Sequence, residues 1–239
     1  LFKGKEERGS GDRTVTRNVR RRNMFEEIRN QVLKQARLAE TLGLCQSGGG
    51  NFSMIDRESG MVCMTPHDTD RFQMSWRDVL VTDLEGNVLE KGPGLKPTSE
   101  IEIHLAVYRA REDILAVAHT HAPYTSVFAG LSMEVKPVLT EAMTYYGRAP
   151  LAPFGTPSTP QLAENIVKTL GEKGVAAVME KHGLITASPF GIWDAVRKNL
   201  YVEETAKAYF RMIQLVGIEH VPSIDMDELD RMTEMLGIR

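Results

Sequence analysis

The apolar positions Phe25, Ile28, Val32, Ala36, Ala39 and Leu42 recur at spacings of three and four, the stripe of an amphipathic helix. Gly43 follows and suits a left-handed C-terminal cap. After a glycine run at residues 47–51 the pattern changes. Phe52 to Thr65 reads as short strands about an Arg57-Glu58-Ser59-Gly60 turn, and Val79 to Leu89 as a hairpin about Leu84-Glu85-Gly86-Asn87. Ser99 and Glu102 have the spacing of a capping box, opening a helix to Arg111 with Ile101, Leu105 and Tyr108 turned inward. Beyond it, Ile114 to His119 is an apolar strand, Pro123 to Gly130 a helix, and Pro150 to Pro160 a loop with four prolines. Gln161 to Leu170 reads as a helix, Val175 to Met179 as a buried strand leading to His182, and Phe190 to Val216 as a long helix. From Ile224 onward, Met226, Leu229, Met232, Met235 and Leu236 form a last helical stripe of the kind that packs into a core or an interface. No internal repeat or interior low-complexity linker divides these elements. The pattern therefore predicts one α/β domain with a mixed sheet between helices.

Composition narrows the class. A chain of 239 residues with 42% hydrophobic content can bury a sizeable core without disulfides or metal to hold it. Its formal net charge of -3 gives nucleic acid no general attraction. Cys45 and Cys63 are the only cysteines, which excludes a disulfide scaffold and a cysteine-only zinc site, and both are expected to be buried thiols. No apolar run approaches the roughly 18 residues of a membrane span, and residues 1 to 23 hold no signal-peptide stretch. A soluble cytoplasmic protein is expected, with neither nucleic acid nor a membrane as partner. Residues 1 to 23 stand apart, with eight basic side chains against three acidic ones and few apolar positions. They are expected to form a basic, disordered extension preceding a single domain over residues 24 to 239.

The chemistry centres on three of the six histidines. His119 and His121 end a strand, where residues i and i+2 share a face, so both imidazoles can turn toward one ion. His182, in Glu180-Lys181-His182-Gly183-Leu184, follows another strand and completes a set of three. Three histidines leave a coordination position open, as a catalytic zinc site requires. The His-x-His spacing by itself also fits ordinary loop or core histidines. Lys96-Pro97-Thr98-Ser99-Glu100 opens a helix, where backbone amides and hydroxyls favour an anion and Glu100 can reach a substrate proton; simple helix capping is the alternative. Gly48-Gly49-Gly50-Asn51-Phe52-Ser53 offers amides with little side-chain bulk, either to cradle a phosphate or as a flexible turn. It is neither a Walker loop nor a dinucleotide-binding motif.

Taken in order, GGGNFS, TP, PTSE, HTHAPYTSVFAG, FGTP and KHGLI resemble the class II aldolase/adducin family over residues 25 to 216, and within it the fuculose-phosphate aldolase branch. The resemblance implies a three-layer α/β/α sandwich around a central, mainly antiparallel sheet, assembled as a homotetramer with sites between subunits. It implies that His119, His121 and His182 hold a divalent metal, usually Zn2+, that Glu100 is the catalytic acid/base, and that Gly50, Asn51, Thr98 and Ser99 bind phosphate. The implied activity is retro-aldol cleavage of a ketose phosphate to dihydroxyacetone phosphate and an aldehyde. A ribulose-phosphate 4-epimerase, a methylthioribulose-phosphate dehydratase and a non-catalytic adducin-like domain are the alternatives. The complete triad with Glu100 favours an enzyme, and glutamate at that position favours the aldolases.

Two segments depart from the branch. Thr65-Pro66-His67-Asp68-Thr69-Asp70-Arg71 adds carboxylates where Thr-Pro-Thr-Gly often completes the phosphate pocket. A carboxylate there repels phosphate, so His67 or Arg71 must offset it or the substrate differs. In place of a tyrosine about 20 residues beyond His-x-His, the chain offers Glu141, Tyr145 and Tyr146. His104 is expected to be a packed or surface histidine, and His220 incidental.

Overall fold

The computed structural model describes the backbone of residues 10–237 and the side chains of residues 25–237. The first helix, α1 (Ser10–Thr41), closes at Gly43, which has the expected positive φ of 75°. It begins well before the Phe25 start of the apolar stripe, so the backbone of residues 10–23 continues the helix; residues 1–9 of the basic segment lie outside the described residues.

Eight strands follow: β1 (Asn51–Asp56), β2 (Met61–Met64), β3 (Leu80–Thr82), β4 (Val88–Glu90), β5 (Ala116–Thr120), β6 (Leu151–Ala152), β7 (Ala176–Met179) and β8 (Gly183–Ser188). They form one sheet in the order β4-β3-β2-β1-β5-β8-β7-β6, antiparallel at every pairing except β6 with β7. The remaining helices are α2 (Ile101–Ala110), α3 (Pro123–Gly130), α4 (Pro160–Leu170), α5 (Ile192–Val216) and α6 (Met226–Met235).

The central strands are apolar on both faces because both faces are covered. Phe52, Ala116 and Ala118 pack on one side against Val32, Leu33 and Ala36 of α1 and Ala195 and Val196 of α5. Ile55, Val117, Ile185 and Ala187 pack on the other against Ile103 and Leu105 of α2 and Leu162 and Ile166 of α4. A third cluster joins α3, α5 and α6 around Phe128, Tyr209 and Leu229. The outcome is the three-layer α/β/α sandwich with a mainly antiparallel sheet.

Three local expectations change. The strand β8 continues directly from the His182 turn, where the sequence pattern marked only β7. The helix α2 starts one residue after Glu100, and no side chain caps it. The amide of Glu100 instead donates to Thr98 Oγ1 at 3.3 Å, and Ser99 is exposed. Of the C-terminal stripe only Leu229 is buried, with Thr233 of the same helix beside it, while Met235 stays 68% exposed.

The ladder gathers the chemistry at one end of the sheet. Asn51 opens β1 opposite His119, and His119 and Thr120 of β5 face Ile185 and Leu184 of β8. The glycine loop, the His-x-His segment, the His182 turn and the start of α2 therefore all meet there.

Candidate active site

A cleft of about 360 Å³ at that end is bordered by the glycine loop, Asn51, Thr98, Ser99, Glu100, His119, His121 and His182, together with His67 and Asp68. All eight residues singled out for chemistry thus border one cavity. A larger groove, about 1120 Å³, runs between α1 and β4. It brings together no comparable set of histidines and carboxylates.

Backbone fit brings the histidines together. Two glycines flank β5, one from each neighbouring strand. A Cβ on Gly50 would sit 2.6 Å from the His119 carbonyl, and one on Gly183 would sit 2.4 Å from the Thr120 carbonyl and 3.1 Å from the His121 ring. Neither approach is compatible with a side chain. Beneath the segment, α5 supplies polar support. The Thr120 hydroxyl donates to Asn199 at 2.7 Å, and the Glu203 carboxylate accepts from the amides of Tyr124 and Thr125 at 2.7 and 2.8 Å, holding the start of α3. Lys181 takes a φ of 57° in the tight turn that delivers His182.

One ring nitrogen from each of His119, His121 and His182 lies within 4.8 Å of the others. The Nδ1 of His119 sits 3.0 Å from the Leu184 carbonyl, which accepts its proton and leaves Nε2 with a bare lone pair. That Nε2 faces the Nε2 of His121 at 3.2 Å. Burial lowers the proton affinity of all three rings, and the neighbouring rings lower it further at His119 and His121. Neutral imidazoles are what a metal needs. The Nδ1 of His182 is buried without a hydrogen-bond partner. Three rings with one nitrogen each so close together, and no hydrogen bond claiming the His182 Nδ1, form a set that could hold a divalent cation.

Glu100 closes the group. Its Oε1 accepts from the Ser158 amide at 3.0 Å, while Oε2 lies 3.7 Å from His182 Nε2 and has no hydrogen bond. Burial raises the carboxyl above the usual carboxylate range, opposed by the Ser158 hydrogen bonds and by His121. Ser158 holds a φ of 67°, a conformation that costs energy in a non-glycine residue and is kept only where its surroundings enforce it.

The glycine loop has a side-chain anchor that sequence reading placed elsewhere. Arg71, 2% exposed, sends Nη2 to the carbonyls of Gly48, Gly49 and Gly50 at 3.0, 2.7 and 2.7 Å, and Nη1 to Glu40 at 3.0 Å. Its guanidinium lies under the loop, so it does not offset Asp68 in the cleft. His67 is the cleft-facing residue beside that carboxylate. Neither Glu141, Tyr145 nor Tyr146 borders the cleft. Tyr145 stacks on Tyr201 of α5 with ring centroids 3.8 Å apart, and Tyr146 is buried near α5 and α6. His104, expected to be packing or surface, is completely buried and hydrogen-bonded to Asn51 and Ser53. The signal for it was available: 101, 104, 105 and 108 form an inward stripe on α2. Cys45 and Cys63 are free, buried thiols as expected, and burial pushes Cys63 up to about 12.

Three histidines that could hold a metal ion stand beside a buried carboxylate at one end of an α/β/α sandwich. The chain belongs to the class II aldolase and adducin N-terminal domain family, whose model matches residues 30–210. It is 30% identical to the 5-deoxy-D-ribulose 1-phosphate aldolase of Bacillus thuringiensis serovar kurstaki, over 90% of this chain and 99% of that one. It is 29% identical to an L-fuculose phosphate aldolase of Methanococcus maripaludis, over 77% and 97% of the two chains. A solved L-fuculose 1-phosphate aldolase superposes with a TM-score of 0.81 at 26% identity, covering 88% of this chain and 96% of its own. Relatives with other reactions include a 3-oxo-tetronate 4-phosphate decarboxylase of Haemophilus influenzae, 27% identical over 79% of this chain and 89% of its own. Among the described residues, no helix is long and apolar enough to cross a membrane.

Proposed function

We propose that the protein is a divalent-metal-dependent aldolase that cleaves a ketose 1-phosphate to dihydroxyacetone phosphate and an aldehyde. The observation that carries this reading is the Glu100 carboxylate, with one oxygen tied to Ser158 and the other buried without a hydrogen bond and facing His182 of the histidine group. A structural carboxylate at that depth would have both oxygens satisfied.

Cleavage breaks the bond between the carbon bearing the ketone's neighbouring hydroxyl and the next carbon along. The aldehyde leaves, and the three-carbon fragment must hold negative charge until a proton arrives. When bound by His119, His121 and His182, a divalent metal, in our reading Zn2+, supplies Lewis acidity that stabilises that charge. Glu100 takes the hydroxyl proton of the carbon that becomes the aldehyde onto Oε2 and returns a proton to the three-carbon fragment, and its raised proton affinity suits both halves of the exchange. The Ser158 amide orients the carboxylate so that Oε2 faces the reacting carbon. Gly50, Asn51, Thr98 and Ser99 hold the phosphate in the same cleft, which anchors one end of the substrate and fixes its reach to Glu100. The homotetramer with sites between subunits, which the family resemblance implies, is part of the same reading.

The names of the relatives favour short ketose 1-phosphates with a deoxygenated tail, such as 5-deoxyribulose 1-phosphate, alongside fuculose 1-phosphate. The test is a retro-aldol screen of these esters, scored by dihydroxyacetone phosphate and paired with elemental analysis of the purified protein. Release of dihydroxyacetone phosphate with about one metal per subunit is expected. An epimerised or decarboxylated product instead would remove the aldolase reading.

A further inference from the structure

His104 lies one helical turn beyond Glu100 on α2. It is completely buried, yet both ring nitrogens are engaged. Nδ1 lies 2.6 Å from Ser53 Oγ, and Nε2 lies 2.5 Å from Asn51 Oδ1. The Ser53 oxygen is in turn 2.7 Å from the Tyr108 hydroxyl. Asn51 and Ser53 are alternate residues of β1 and share a face, while His104 and Tyr108 are one turn apart on α2. The helix therefore touches one strand face at two matched points.

With the Asn51 oxygen toward His104, the proton arrangement around this amide is determined. Burial pushes the His104 ring down to about 3, so it is neutral, with one N–H and one lone pair. The Asn51 oxygen can only accept, which puts the ring proton on Nε2. Nδ1 then accepts from the Ser53 hydroxyl, and the Ser53 oxygen accepts from the Tyr108 hydroxyl. With its oxygen engaged by His104, the Asn51 amide has only its NH2 group to offer. No partner for that nitrogen exists among the described residues, and Asn51 borders the cleft beside Gly50 and Thr98.

The geometry points to His104 as a positioning residue that locks the Asn51 amide with its NH2 group toward the cleft, as a donor to the phosphate of the substrate. The two ends of an amide are nearly the same size, so shape alone does not orient it. Turned over, Asn51 would present its oxygen to an anion and repel it. Run in reverse, the relay from Tyr108 through Ser53 and His104 would support that orientation, but it would leave the buried Tyr108 O–H without an acceptor among the described residues, which disfavours it. This inference rests on the phosphate-binding reading of Asn51 given above.

The test uses the full-length, metal-loaded protein and two readouts: calorimetric titration with inorganic phosphate, and the split between kcat and KM for the ketose phosphate. For Asn51→Ala, phosphate affinity is expected to fall about tenfold, as for loss of one hydrogen bond to a charged group. For His104→Leu the same fall is expected, with the loss appearing mainly in KM, and the double variant should be no weaker than either single one. His104→Gln, which keeps one donor and one acceptor on the buried side chain, should recover most of the affinity; it also serves as the test if His104→Leu does not fold. Loss of affinity in Asn51→Ala but phosphate binding within twofold of wild type in His104→Leu, or no recovery in His104→Gln beyond a folded His104→Leu, would overturn the role of His104 alone. If only His104→Gln folds, a loss of affinity equal to that of Asn51→Ala would overturn it. Unchanged affinity in Asn51→Ala would overturn both this inference and the phosphate-binding reading.

Discussion

The two walls of the cleft are held by different means. On the histidine wall the backbone does the positioning: His119 is fixed by pairing with Asn51 and Ile185, its ring bonds to a main-chain carbonyl, and Gly183 allows the neighbouring strand to close in. On the glycine wall, buried polar side chains do it: Arg71 gathers three loop carbonyls, and His104 holds Asn51. A strand imposes side-chain direction through its own periodicity. A glycine run has no preferred shape and must be given one from outside. Changes on the first wall should therefore strike chemistry with little loss of fold, and changes on the second should strike stability and anion binding together.

The largest effect is expected from His119→Ala. Two remaining histidines do not hold a catalytic cation, so metal and turnover should vanish together while circular dichroism stays native. Elemental analysis that still finds about one metal per subunit, with activity, would break the assignment. Next comes Glu100→Gln, which keeps size and hydrogen-bonding reach. Loss of a general acid/base costs roughly 10² to 10⁴ in rate, so kcat should fall at least about a hundredfold with metal content intact. A kcat within about threefold of wild type would take the proton role away from Glu100.

On the glycine wall, Arg71→Met removes the cation that neutralises Glu40 and leaves three carbonyls without their donor. Breaking a buried pair by deleting one partner costs on the order of 3 kcal/mol, and a denaturant-unfolding midpoint should drop accordingly. The loop should lose its shape as well, so KM for the phosphorylated substrate should rise more than kcat falls. Equal stability in Arg71→Met would mean that the loop keeps its form without the anchor.

Acid should act through the same wall. His104 is held at about 3 in the folded protein, against the ordinary 6.5 of histidine. A group depressed on folding adds stability that is fully present above pH 6.5 and lost as pH falls toward about 3, because the unfolded chain takes up the proton first. The slope approaches about 1.4 kcal/mol per pH unit for one such group. His119, His121 and His182 are shifted in the same direction, while Glu100 is raised and works the opposite way. Chemical denaturation at pH 7 and pH 5 should show the wild type losing stability on acidification, with a smaller loss in His104→Gln. Identical slopes would mean that the ring does not titrate on unfolding.

How much of this was readable beforehand follows the same division. The helices α1, α3 and α5, the β3–β4 hairpin and the shared face of His119 and His121 follow from periodicity and local spacing, which are properties of neighbouring residues; His182 joined them through the order of motifs on which the family resemblance rests. The anchors were not readable in that way. Arg71 lies 21 residues from Gly50 and His104 lies 53 from Asn51, and only the sheet register and the seating of α2 bring them together. Arg71, seen beside Asp68 in the sequence, looked like a compensating charge in the cleft. Burial turned it into a scaffold.

The smallest effect sharpens the comparison at the start of α2, where the two walls meet. The Ser99 and Glu102 spacing promises a capping box, and loss of a real cap costs about 1 kcal/mol. In the structure Glu102 pairs with Arg109, the Ser99 side chain caps nothing, and Thr98 accepts from the amide of Glu100 instead. Ser99→Ala should therefore change stability by no more than about 0.5 kcal/mol, as for an ordinary exposed position. Thr98→Val, at a buried hydroxyl, should cost about 1 kcal/mol. If Ser99 binds phosphate, its alanine variant should still raise KM for the phosphorylated substrate, so stability and KM respond separately at one hydroxyl. A stability loss in Ser99→Ala as large as that in Thr98→Val would restore the cap, and an unchanged KM would take Ser99 out of the phosphate-binding wall.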